Sequence, residues 1–187
     1  CLLTARAHVD RGEGWPAVGA YTEYLEREPH DLEARRELAR ALLMVEAQDR
    51  ALATYQAVYR AAVSERRWDL ALAVLGESRR LDGHRGLSID ELGLAAQQAD
   101  RAGQQRLAVD LYQDLVGRGV HHPVVERGWV RLVLLLHANP RWRAEAHQWL
   151  QRAWSSLPPG AWRSYLEQEF NAAPEPRGST PPAPTGR

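Results

Sequence analysis

The chain contains no lysine: all 24 basic side chains are arginine, set against 24 acidic ones. Exclusive arginine usage reads as the coding bias of a GC-rich genome. It also supplies planar forks suited to bidentate carboxylate contacts. There is one cysteine, Cys1, so no intrachain disulfide framework exists and folding must rest on a hydrophobic core. At 187 residues the chain is long enough to bury about 70% of its unfolded surface. No apolar run reaches about 18 residues, which excludes a transmembrane helix within the sequence. Net charge is zero and the pI is about 7.2, so the basic surplus of a generic nucleic-acid binder is missing. Phosphate-binding glycine loops, a nucleophile elbow, H-E-x-x-H and C-x-x-C are all absent. Serines are sparse and have no base nearby in sequence. His121-His122 have no cysteine or carboxylate at ligand spacing. No catalytic residue, metal site or cofactor is therefore expected.

What is present is helical periodicity almost throughout. Leu38, Ala39, Leu42, Leu43 and Val45 share one face. Ala51, Leu52, Tyr55, Val58, Tyr59 and Ala62 share another, and Leu70, Ala71, Val74, Leu75 and Leu81 a third. Gly, Pro and Asn interrupt this pattern at Gly12–Gly14, Pro29, Gly83, Gly103, Gly117–Gly119, Asn139-Pro140 and Pro158–Gly160. Ser88 with Glu91 forms a capping-box pattern. The reading is about ten antiparallel helices joined by short connections.

An internal repeat underlies this pattern. Ala17, Tyr21, Tyr24 and Pro29 have the offsets of Ala146, Leu150, Ala153 and Pro158. Ala51, Tyr55, Val58 and Ala108, Tyr112, Leu115 repeat the first three positions. A small residue lets a paired helix approach, the large one a turn later fills the adjoining gap, and proline ends the pair.

This pattern resembles the tetratricopeptide repeat (TPR), a helix–turn–helix unit of about 34 residues. The resemblance implies an all-α superhelix: a right-handed solenoid of antiparallel helix pairs over residues 1–170. Helix 161–170 is expected to cap it with Trp162, Tyr165, Leu166 and Phe170. The Pro-rich segment 171–187 is expected to be a disordered tail. The repeat register falls at Ala17, Ala51, Ala108 and Ala146, and the long second interval holds an additional helix near 67–81. Ala71 and Leu75 match the register too, so helix 49–64 is expected to serve two overlapping pairs. His137 takes a core-facing position. Trp142 and Trp149, seven apart, should share a helix face, with at least one C-terminal tryptophan exposed.

The resemblance also implies a groove lined by the first helix of each pair. Carried onto this register, that groove takes Arg6, Glu33, Arg36, Arg40, Leu43, Asp90, Gln97, Arg131 and Leu135. Arg36 and Arg40 lie one helical turn apart and would point together at a ligand carboxylate. The chaperone-type clamp of this family is built from lysine and asparagine; this chain has only Asn139 and Asn171. Residues 1–31 carry an acidic surplus and 121–187 a basic one, a charge dipole along the chain.

The functional expectation is a non-catalytic protein–protein interaction or scaffold module for a protein or peptide ligand, acidic by charge, with nucleic acid excluded. The register puts Cys1 inside the first helix of a pair, so the native chain is expected to continue upstream. The extra helix and the Trp129-to-Pro158 ending also resemble, more loosely, the helical-repeat tails of some bacterial rhomboid-family membrane proteases. That resemblance implies a cytoplasmic module tethered to the inner membrane by an upstream domain. Two alternatives stand beside it: a self-association domain of a transcription regulator, and an assembly lipoprotein anchored at Cys1.

Overall fold

The computed structural model describes residues 1–81 and 84–170. The expected tail at 171–187 lies outside the described residues. Ten α-helices follow one another: α1 (Leu2–Asp10), α2 (Gly14–Arg27), α3 (Leu32–Met44), α4 (Gln48–Ser64), α5 (Trp68–Ser78), α6 (Ile89–Arg101), α7 (Gln105–Gly117), α8 (Pro123–Ala138), α9 (Arg143–Ser156) and α10 (Ala161–Phe170). Short 3-10 turns occupy Arg79–Leu81 and Pro140–Trp142. No strand occurs among the described residues. The fold is an all-α helical repeat of TPR-like pairs. The chain divides into two compact units, one from Cys1 to Asp114 and the other from Leu115 onward.

Four turns in the first unit show how the sequence writes the repeat. Gly12, Glu46, Arg66 and Gly103 all adopt left-handed backbone, with φ of 74°, 59°, 58° and 71°. Each turn makes the same two hydrogen bonds. Glu46 N–H donates to the Leu43 carbonyl (3.1 Å) and Ala47 N–H to the Leu42 carbonyl (2.9 Å). Arg66 and Arg67 do the same to Val63 (3.0 Å) and Ala62 (2.8 Å). This is the Schellman closure, which satisfies the orphan carbonyls at a helix end. Five residues beyond each left-handed residue stands a fully buried alanine: Ala17, Ala51, Ala71 and Ala108. Four further on stands a buried large side chain: Tyr21, Tyr55, Leu75 and Tyr112. The turn at Arg66 is thus a complete repeat signal inside the long interval, and α4 packs on both α3 and α5 as expected.

The connections between pairs use different chemistry. The Asp31 side chain caps α3, accepting from Ala34 N–H at 2.9 Å. Ser88 and Glu91 complete the capping box that opens α6 (3.2 and 2.8 Å). His122 caps α8 through Nδ1, with Pro123 as first helical residue. The core of the first pairs joins Ala5, Ala17, Val18, Tyr21, Ala41, Leu42 and Ala51. Burying a large side chain such as Leu42 contributes about 1.5–3 kcal/mol.

In the second unit α8 packs on α9, and α10 rests on α8. Trp129 is buried and its ring lies 5.9 Å from that of Trp149, which Arg152 covers at 4.8 Å. Three expectations need correction here. His137 is exposed rather than core-facing; it meets Phe170 edge-on at 4.7 Å, because Leu136 takes the inward position beside it. Trp142 belongs to the 3-10 turn before α9, so it does not continue the face of Trp149. In α10 only Leu166 is buried; Trp162 and Tyr165 are exposed, Phe170 at the helix end meets His137 of α8, and Arg163 lies over the Trp154 ring of α9 at 5.1 Å.

Candidate peptide-binding face

Helix α3 carries Glu33, Arg36, Glu37 and Arg40 at helical spacing, and neighbouring elements bring partners to each. Arg6 of α1 makes a two-pronged contact with Glu37, Nε to Oε2 at 2.9 Å and Nη2 to Oε1 at 2.7 Å. The Tyr21 hydroxyl of α2 donates to the same carboxylate at 2.8 Å. The hydrogen bond from Arg6, joined by that of Tyr21, holds the Glu37 carboxyl below its ordinary value against the opposing effect of burial. Burial first, and then the Glu37 charge and hydrogen bond, push the Tyr21 phenol up.

Arg36 and Arg40 converge on Glu77 of α5. Arg36 reaches Oε1 through Nε at 3.0 Å and Nη2 at 2.5 Å. Arg40 donates Nε to Oε2 at 3.0 Å and also bonds Oε1 through Nη2. Burial alone would push the Glu77 carboxyl up. The hydrogen bonds of Arg40 and Arg36 and their charges outweigh that effect, so it sits below the usual range. Glu33 reaches Arg36 and Arg67, each at 3.4 Å. Two guanidinium groups therefore share one partly buried carboxylate, and Arg40, half exposed, keeps an edge toward solvent.

A cavity of about 270 Å³ adjoins this network, lined by Arg6, Val9, Asp10, Tyr21, Glu37 and Arg40. Small-molecule pockets typically span about 300–1,000 Å³, so this one suits a side chain or a short peptide stretch.

The structure thus brings Arg6, Glu33, Arg36 and Arg40 together in the first unit. Leu43 is half-buried and packs against the core rather than standing open. Asp90 and Gln97 are exposed on α6. Arg131, exposed, and Leu135, half-buried, lie on α8 of the second unit. Sequence reasoning missed Glu37, Glu77, Tyr21, Val9 and Asp10. The i, i+3 and i+4 alternation of charge along α3 was the available signal for Glu37; nothing local pointed to Glu77, which lies a helix pair away. Among the described residues, no group of three or more His, Cys, Asp and Glu side chains is placed to hold a metal ion. Among them, too, no helix is long and apolar enough to cross a membrane.

The helix pairs and their shared turns define an all-α helical-repeat chain. No protein-family model and no curated protein matches the sequence. Among solved structures, the chain is similar to the MamA protein, with 15% identity over 92% of this chain and 94% of that one and a TM-score of 0.35. It is similar to YrrB, described as a TPR protein with an unusual peptide-binding site, at 16% identity over 83% and 86% with a TM-score of 0.38. It is also similar to a putative kinesin light chain of Podosopora anserina with nearly identical TPR-like repeats, at 16% identity over 92% and 95% with a TM-score of 0.33.

Proposed function

We propose that the chain is a non-catalytic protein–protein interaction module that takes an acidic peptide segment on the α1–α3 face. The observation that carries this reading is the sharing of one carboxylate, Glu77, between Arg36 and Arg40 beside a cavity that Arg40 and Arg6 both line. Arg40 is half exposed and lines the cavity, where a ligand carboxylate would accept a charge-assisted bond from its free edge. Glu33 and Leu43 flank the face; Gln97 on α6, and Arg131 with Leu135 on the second unit, are the further positions that the TPR resemblance assigns to ligand contact. The zero net charge of the chain favours a protein over a nucleic acid as partner.

The test is fluorescence polarisation with labelled peptides of equal length, one rich in glutamate and one of serine and glycine. The acidic peptide binds, the affinity falls with added salt, and Arg40→Ala weakens it about tenfold, which corresponds to a charged hydrogen bond of about 1.4 kcal/mol. Equal binding of both peptides, or indifference to Arg40→Ala, overturns the reading. On the sequence resemblance alone, the proposal extends to a cytoplasmic module tethered through an upstream membrane domain. Reading the residues encoded ahead of Cys1 tests that extension.

A further inference from the structure

The cavity beside α3 has walls of both signs. Arg6 and Glu37 in its lining are committed to each other, and the Tyr21 hydroxyl donates to the same carboxylate. Two charged lining groups stand outside that triad. One is the Arg40 guanidinium, half exposed beside its contact with Glu77. The other is Asp10, exposed at the last position of α1. Among the described residues no hydrogen bond or ion pair holds the Asp10 carboxylate. The cations nearest to it in the chain are taken. Arg6, one helical turn earlier, is held by Glu37, and Arg11, next to it, donates Nε and Nη2 to Glu13, each at 3.0 Å. A carboxylate at the C-terminal end of a helix also faces the negative end of the helix dipole, so Asp10 does not serve the stability of α1.

We infer that Asp10 sets the specificity of this cavity, which takes an acidic side chain at the Arg40 edge together with a basic one at Asp10, in preference to a run of acidic residues. The inference rests on the peptide-binding reading above and narrows its ligand. A second ligand carboxylate at Asp10 meets a like charge and the negative end of α1. A ligand lysine or arginine there gains from both. An extended peptide presents residues i and i+2 on one side, about 7 Å apart. Probe peptides should therefore carry their two charges two positions apart.

Fluorescence polarisation of the intact chain at low salt tests this, with four peptides of equal length on a serine–glycine background. One has no charge, one a single glutamate, one Glu-x-Glu and one Glu-x-Lys. The Glu-x-Lys peptide binds about threefold tighter than Glu-x-Glu, the size of an exposed ion pair. Asp10→Asn brings those two to equal affinity and leaves the single-glutamate peptide unchanged, and Asp10→Lys reverses their order. Equal affinity of the unaltered protein for the two, or a lysine preference that survives Asp10→Asn, overturns the inference. The peptide-binding reading then still stands on the single-glutamate peptide and its dependence on Arg40. If no charged peptide binds better than the uncharged one, both fall.

Discussion

Gly12 and Glu46 hold the same left-handed backbone at equivalent turns, yet only the glycine does so without a side-chain penalty. Left-handed backbone costs a residue with a Cβ about 1–2 kcal/mol. A glycine also gains freedom in the unfolded chain, which returns part of that. Glu46→Gly and Arg66→Gly should therefore each stabilise the protein by about 0.5–1 kcal/mol. Gly12→Ala should destabilise by about 1 kcal/mol, through backbone strain and not through a clash. No atom lies within 4 Å of where its Cβ would stand. Urea denaturation measures all three. A loss of stability in Glu46→Gly would show that its side chain does more for the fold than the turn costs.

The C-terminal helix offers a second contrast. Leu166 is fully buried, while Trp162 is 39% exposed on the same helix. Leu166→Ala should cost about 2–5 kcal/mol. Trp162→Ala should stay within about 0.5 kcal/mol, as for a surface substitution. Thermal melts of the two variants decide. A large loss for Trp162→Ala would restore the cap in which all four hydrophobic residues of α10 cover the repeat end.

The repeat was legible in the sequence because close helix packing demands small residues at fixed distances from a turn. Ala17, Ala51, Ala71 and Ala108 show this directly, and Ala71 marked the additional pair even though Arg66 carries no glycine signal. The C-terminal helix was legible, but the cover over its apolar residues was not. Spacing says which residues share a face, but not how much of that face a neighbouring helix covers, and of the four apolar residues only Leu166 is buried. The candidate site was legible by half. Arg36 and Arg40 one turn apart on α3 announce a shared target, and it takes the fold to bring Glu77 to them.

Arg36 and Arg40 differ in what their loss does to stability. Arg36 keeps two hydrogen bonds to Glu77 when Arg40 is removed, so Arg40→Ala should leave the melting temperature nearly unchanged. Removing both arginines strands a carboxylate whose side chain is only 24% exposed. The double variant should lose about 1–3 kcal/mol, the cost of an unsatisfied polar group. Adding Glu77→Gln to the double variant should recover part of that loss. Differential scanning calorimetry of the four proteins checks this. An additive pattern with no recovery would mean that the two arginines do not act through Glu77.

Titration should weaken the fold from both sides, through different residues. The Glu37 and Glu77 carboxyls are held below the ordinary 4.5, so their contribution is present above that value and is lost as pH falls through the lowered one. Glu37→Gln and Glu77→Gln should each flatten the acid limb of a melting-temperature profile below about pH 4.5. On the alkaline side, burial pushes the Tyr55 and Tyr59 phenols up from 10.0 to about 12, with the Glu77 and Glu91 charges adding to it. A raised value in the folded state means that stability is complete below 10 and declines as pH rises through 12. Tyr21 moves in the same direction. Tyrosinate absorbance should therefore rise in step with the loss of helical circular dichroism, because these phenols ionise as the core opens. Early titration of all six tyrosines at their ordinary value, with the helices intact, would show that the phenols are not held in the core.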